Sequence, residues 1–138
     1  MSSDPSPSPA CPEPDSRRNL IWFDGSAGAA VGVFMLLLAP WLEGLYELPL
    51  GFIYFVGGAN LTYGIYSLTL ASRKRRPMRF VQILAVANMV WGVLCFYWFF
   101  QYLGEAGFLG LGHLFLEGVF VGGLGMVEWR WRELLTIP

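Results

Sequence analysis

The side chains with the most chemistry to offer lie inside apolar stretches of this chain. His113 and Glu117 are four positions apart within Phe108–Val127, so a helix puts both on one face. Asn60 and Tyr63 sit in a second such stretch and Asn88 in a third. Ionisable groups in hydrocarbon are costly, which makes each a functional candidate by default. A carboxyl there loses its hydration and must be paired or protonated. One reading of Glu117 is a proton-accepting carboxyl with a histidine partner, on a proton or solute path. The simpler reading, and the preferred one, is an interhelical clamp in which protonated Glu117 bonds an Asn side chain. Such bonds are worth only about 0.6 kcal/mol on average, yet they set register. A His/Glu pair is too small a ligand set for a metal, so no metal site is expected.

A second group lies near the ends of the apolar stretches. Asp24 falls in the first turn of the first one, where a carboxylate complements the helix dipole, and Arg18 or Arg130 is its expected partner. Glu128 closes the last stretch and meets the dipole unfavourably, so a snorkelling Arg is expected to compensate it. A third group, Arg73, Lys74, Arg75, Arg76 and Arg79, forms a basic loop that admits contact with anionic lipid headgroups. No nucleophile elbow, phosphate loop or His-Glu-x-x-His run is present, so no catalytic site and no cofactor is expected.

Four elements must position these groups. The apolar runs cover about 21–42, 50–71, 80–103 and 108–128, each near the 20 residues needed to cross a ~30 Å hydrocarbon core. At ~1.5 Å per residue, Asn60 lies roughly 15 Å into the second helix and Asn88 about 12 Å into the third. Glu117 lies near the middle of the fourth. This predicts two layers: Asn60, Asn88 and Glu117 meeting centrally with Tyr63 and His113 nearby, and Asp24 with Glu128 at one end. The expected fold is an all-α membrane protein with four transmembrane helices in a bundle. Gly28/Gly32 and Gly118/Gly122, with a weaker Gly58/Thr62 pair, have the small-residue spacing that lets helices pack closely, and intramolecular packing is preferred over homodimerisation.

Composition agrees. Of 138 residues 55% are hydrophobic and 14% charged, against about 25% charged in soluble domains. That excludes a conventional soluble enzyme, a nucleic-acid binder and a wholly disordered chain. All nine basic residues flank the same ends of the four runs, while the two opposite loops carry Glu43, Glu47 and Glu105. The positive-inside rule then predicts that both termini and the basic loop are cytoplasmic. Trp22, Trp129 and Trp131 fall at one interface and Trp41, Tyr46, Trp98 and Tyr102 at the other, as aromatic belts do. Residues 1–19, with five prolines among Ser, Asp and Glu, predict a disordered tail rather than a signal peptide, and residues 135–138 a short tail. Cys11 and Cys95 are not expected to pair.

Asp24, Leu48-Pro49, Asn88-Met89-Val90-Trp91 and Glu128-Trp129-Arg130-Trp131-Arg132 resemble motifs of a widespread group of small bacterial four-helix membrane proteins without an assigned activity. The resemblance spans about residues 20–134. It implies a bacterial inner-membrane protein and carries no catalytic residues across, and His113/Glu117 matches none of its motifs. The function expected is therefore non-enzymatic, through packing with membrane lipids, a membrane-protein partner or a second copy. The alternative is a small oligomeric, proton-linked carrier using Glu117.

Overall fold

The computed structural model describes residues 14–138, with side chains from Asn19 onward. Four long helices follow one another: α1 (Pro14–Tyr46), α2 (Leu50–Ser72), α3 (Met78–Gln101) and α4 (Phe108–Arg130), with a single turn, α5 (Arg132–Leu135), at the end. Prolines mark two of the starts. Pro49 and Pro77, at φ −56° and −58°, immediately precede α2 and α3, where their missing N–H costs no helical hydrogen bond. Pro40 lies inside α1, a position that membrane-type helices tolerate when neighbouring groups re-satisfy the backbone. The chain reverses after α1 with Glu47 in the left-handed region and after α3 with Gly104 at φ +88°.

Two boundaries differ from expectation. Residues 14–19 are helical rather than part of a disordered tail, because a proline in the first turn gives up only an N–H that has no partner there. The rest of the expected tail, with Cys11, lies outside the described residues. At the other end the chain is docked, not loose. Leu135 is buried, and Ile137 exchanges backbone hydrogen bonds of 2.8 and 3.1 Å with Arg76 in the α2–α3 loop.

α1 packs along α2 and α3 along α4, giving two helical hairpins. Glycine lets both seams close to backbone contact. A Cβ on Gly64 would come within 2.3 Å of the Ala29 nitrogen, and one on Gly32 within 2.4 Å of the Leu61 nitrogen. On the other seam, a Cβ on Gly92 would come within 2.8 Å of the Gly122 Cα. Gly58 does not take part in such packing: nothing lies within 4 Å of the position its Cβ would occupy.

The hairpins meet through two apolar clusters, one at each end. Met35, Ala39, Leu42, Leu48, Ile53, Val56 and Leu114 build the first; Ile21, Leu70, Ala71, Val81, Leu84 and Leu135 build the second. Rings reinforce the first, with Phe52, Phe55, Trp91, Trp98 and Tyr102 stacked across α2 and α3 at centroid distances of 5.1–6.1 Å. Large apolar residues also cover the outside, among them Phe108 at 88% exposure and Leu37 at 75%. Three spans, Asn19–Tyr46, Met78–Gln101 and Phe108–Arg130, are long and apolar enough to cross a membrane, with only 28%, 28% and 22% of their apolar windows buried inside. A chain with that much outward apolar surface calls for hydrocarbon around it. α2, equal in length to α4, supplies Asn60, Tyr63 and Ser67 to the interior.

Candidate functional site

Between the two end clusters the hairpins stand apart, leaving a cavity of about 1240 Å³ lined by all four long helices. Polar side chains from two separate groups reach it: Asn60, Trp91, His113 and Glu117 from one, Asp24, Tyr63 and Asn88 from the other.

Glu117 is the centre of the first group. Its Oε1 accepts two hydrogen bonds, from Asn60 Nδ2 and Trp91 Nε1, both 2.7 Å long. Its Oε2 lies 2.7 Å from His113 Nε2, and the other imidazole nitrogen is 3.2 Å from the Tyr46 hydroxyl. Three helices, α2, α3 and α4, thus meet at one carboxyl, and Tyr46 adds the end of α1 through His113. Because Oε1 takes two N–H donors, any proton on this carboxyl sits on Oε2, in the bond to histidine. With that proton on Oε2, neutral His113 accepts at Nε2 and donates from Nδ1 to the Tyr46 oxygen; with Glu117 ionised and His113 neutral, Nε2 donates and Nδ1 accepts from the Tyr46 hydroxyl. Tyr46–His113–Glu117 is therefore a hydrogen-bonded chain from the end of α1 to the cavity.

The second group is built around two carboxyls. Asp24, 3% exposed, accepts from the Tyr63 hydroxyl and, at 3.3 Å, from Ser67, both through Oδ2. Asn88 donates to the Tyr63 oxygen at 2.5 Å and to Glu128 Oε2 at 2.9 Å. Glu128 is fully buried, and its Oε1 and the Asn88 Oδ1 lack a hydrogen-bond partner among the described residues. Asp24 and Glu128 are joined through Tyr63 and Asn88 and lie near enough for their charges to be felt by one another. Two carboxyls in so dry a place repel one another when both are charged.

The expected sites are redistributed accordingly. Asn60, His113 and Glu117 come together as predicted, but Asn88 and Tyr63 belong to the other layer. Depth along a helix was sound; reach was not. A helical side chain leans toward its own N-terminus, so Asn88 on α3 and Glu128 on α4 lean toward each other from opposite directions. Asp24 and Glu128 do share a layer, yet Arg130 is exposed and takes no part in it. Arg18, the other expected partner, falls outside the described side chains. Among the described ones, hydroxyls and an amide meet these acids where an arginine was expected, while Arg130 and Arg132 lie toward the surface. Arg132, for example, lies 4.9 Å over the Trp129 ring and bonds the Trp129 carbonyl at 2.7 Å. In the basic loop Arg73, Lys74, Arg75 and Arg79 are exposed, whereas Arg76 is 2% exposed and so is no lipid contact. Its backbone pairing to Ile137 draws it under the C-terminal turn.

Three participants escaped the sequence reading. By sequence Trp91 falls in a motif and Tyr46 in an aromatic belt, but a ring N–H or O–H within apolar surroundings needs a partner, and that need is legible. Ser67 sits four residues beyond Tyr63, hence on the same face of α2. Cys95 is a free, buried thiol, and no group of three or more metal-ligating side chains occurs among the described residues. No family model matches this chain, and neither a curated protein nor a solved structure matches it.

Proposed function

We propose that this chain is a multi-pass protein of a bacterial inner membrane that takes a small lipophilic molecule into the cavity between its hairpins and does no chemistry on it. In this reading all four long helices span the bilayer, with both termini and the basic loop in the cytoplasm. The clustering of Arg73, Lys74, Arg75 and Arg79 at one end, against Glu43, Glu47 and Glu105 at the other, supports that orientation. α2 is fit to cross because three of its hydroxyls are satisfied within the helix. Thr62, Thr69 and Ser72 bond the carbonyls four residues back at 2.7–2.8 Å.

The cavity itself carries the binding reading. A protein acting only by packing has no use for a cleft of about 1240 Å³ held open between its hairpins, along which Phe55, Leu116 and Val119 remain more than half exposed. Apolar walls with a few convergent polar groups are what small-molecule sites have. Gly58 provides the test, since it lines the cavity and its missing Cβ faces open space. Gly58→Phe should fill the cavity without disturbing either seam. Purified protein in nanodiscs is expected to bind the neutral fluorophore N-phenyl-1-naphthylamine saturably above empty nanodiscs, and Gly58→Phe to lose that binding. Equal binding by both proteins would sink the proposal. Orientation is tested by labelling single cysteines placed at Glu47 and Arg75, which should react from opposite sides.

The Tyr46–His113–Glu117 chain favours a second reading, a proton-linked carrier. It requires Glu117→Gln to abolish a pH-driven flux that the wild-type protein shows in liposomes.

A further inference from the structure

The walls of the cavity are chemically one-sided. Two carboxyl residues, Asp24 and Glu117, line it, and Glu128 lies just behind Asp24. No Lys or Arg is among the lining residues, and the one basic ring, His113, is engaged by Glu117. The rest is apolar or aromatic, with the rings of Tyr54, Phe55, Tyr63, Tyr66, Trp91 and Phe120 around the space.

The two carboxyls are not equivalent. Glu117 is met by three nitrogen groups on its two oxygens, so its charge is already well covered. At Asp24 the Tyr63 and Ser67 hydroxyls both use Oδ2, and among the described residues no Lys or Arg bonds it. Asp24 is thus the place in the cavity where positive charge is missing. Tyr63, which bonds it, and Tyr66, three positions on, both line the cavity beside it. Aromatic faces next to a carboxylate in low dielectric are the combination that holds an organic cation, through Coulomb attraction and cation–π contact together.

We propose that the molecule held between the hairpins is a lipophilic organic cation, with its charged centre at Asp24 and its apolar body along the aromatic walls. This rests on the cavity-binding reading above and narrows the class of ligand. Small inorganic cations would leave most of the volume unfilled, and lipophilic anions meet two carboxyls with no counter-charge.

The test uses two probes of the same tetra-aryl shape and opposite charge, tetraphenylphosphonium and tetraphenylborate. Binding to the full chain in nanodiscs is measured by equilibrium dialysis, with empty nanodiscs as reference. Saturable retention of the phosphonium alone is expected, as is a loss of affinity of about tenfold or more in Asp24→Asn. N-phenyl-1-naphthylamine binding to Asp24→Asn reports that the variant still has its cavity. Equal saturable retention of both ions, or an unchanged phosphonium affinity in a variant that still binds the neutral probe, overturns the proposal. Should Asp24→Asn fail to fold, the comparison of the two ions on the wild-type protein decides. Loss of the neutral probe's sensitivity to Gly58→Phe would instead bring down the cavity reading itself.

Discussion

The two polar layers of this protein put buried carboxyls under different constraints. Around Glu117 every neighbour is a nitrogen that donates or shares a proton, and the three contacts are each 2.7 Å long. Around Asp24 and Glu128 the neighbours are hydroxyls, one amide and each other. The first layer is saturated and ties α2, α3 and α4 to one carboxyl. The second has acceptors in excess of donors, with Glu128 Oε1 and Asn88 Oδ1 left over. A saturated network holds its parts in position, whereas one with spare acceptors gains from any added donor.

Substitutions at the two layers should therefore differ in size and in sign, read by thermal melting of the purified protein in detergent micelles. Glu117→Leu is expected to cost most, about 3–4 kcal/mol, because it leaves buried N–H groups on Asn60, Trp91 and His113 without an acceptor. Asn88→Leu should follow at about 2–3 kcal/mol, since it removes the amide that joins Tyr63 to Glu128 and strands a fully buried carboxyl. A comparable loss from Ser67→Ala, which takes away one of two hydroxyls on Asp24, would show that the amide has no special place.

Amide replacement of the acids separates the layers by sign. Glu128→Gln is expected to raise stability by about 1 kcal/mol, because it ends the repulsion with Asp24 and brings an N–H to a site short of donors. Glu117→Gln should lower it by up to about 1 kcal/mol, since an amide matches the histidine bond in only one tautomer. If both changes shift the melting temperature in the same direction, the contrast between the layers is wrong. The smallest effect is expected from Tyr46→Phe, about 0.5–1 kcal/mol, for the loss of one part-buried bond to His113.

Much of this architecture is legible in the sequence. The apolar runs mark the four long helices to within a few residues, except at the start of α1, where prolines suggested disorder and the helix begins at Pro14. The Gly28/Gly32 spacing was a sound signal of close approach, as Gly32 against Leu61 demonstrates, whereas the Gly58/Thr62 pair faces the cavity. Glu117 with His113 and Asn60 was readable from spacing and depth. Asn88 was misassigned because depth along a helix says nothing of rotation about its axis or of the direction in which a side chain leans. The same gap hid Trp91, one turn beyond Asn88, which turns its indole N–H to Glu117.

The sequence by itself determined the parts and their heights: long apolar helices, polar groups at two levels, basic residues gathered at one end. Those follow from composition and from rise per residue, which are local properties. Only the tertiary structure decided which groups meet, because that depends on how each helix is rotated and on how closely glycine lets the seams approach. It also decided that the hairpins close at their ends and stand apart in the middle. The apolar clusters draw the ends together, while along the middle the closest glycine contacts run within each hairpin, as at Gly64 against Ala29 and Gly92 against Gly122. The cavity is what those two packings leave over.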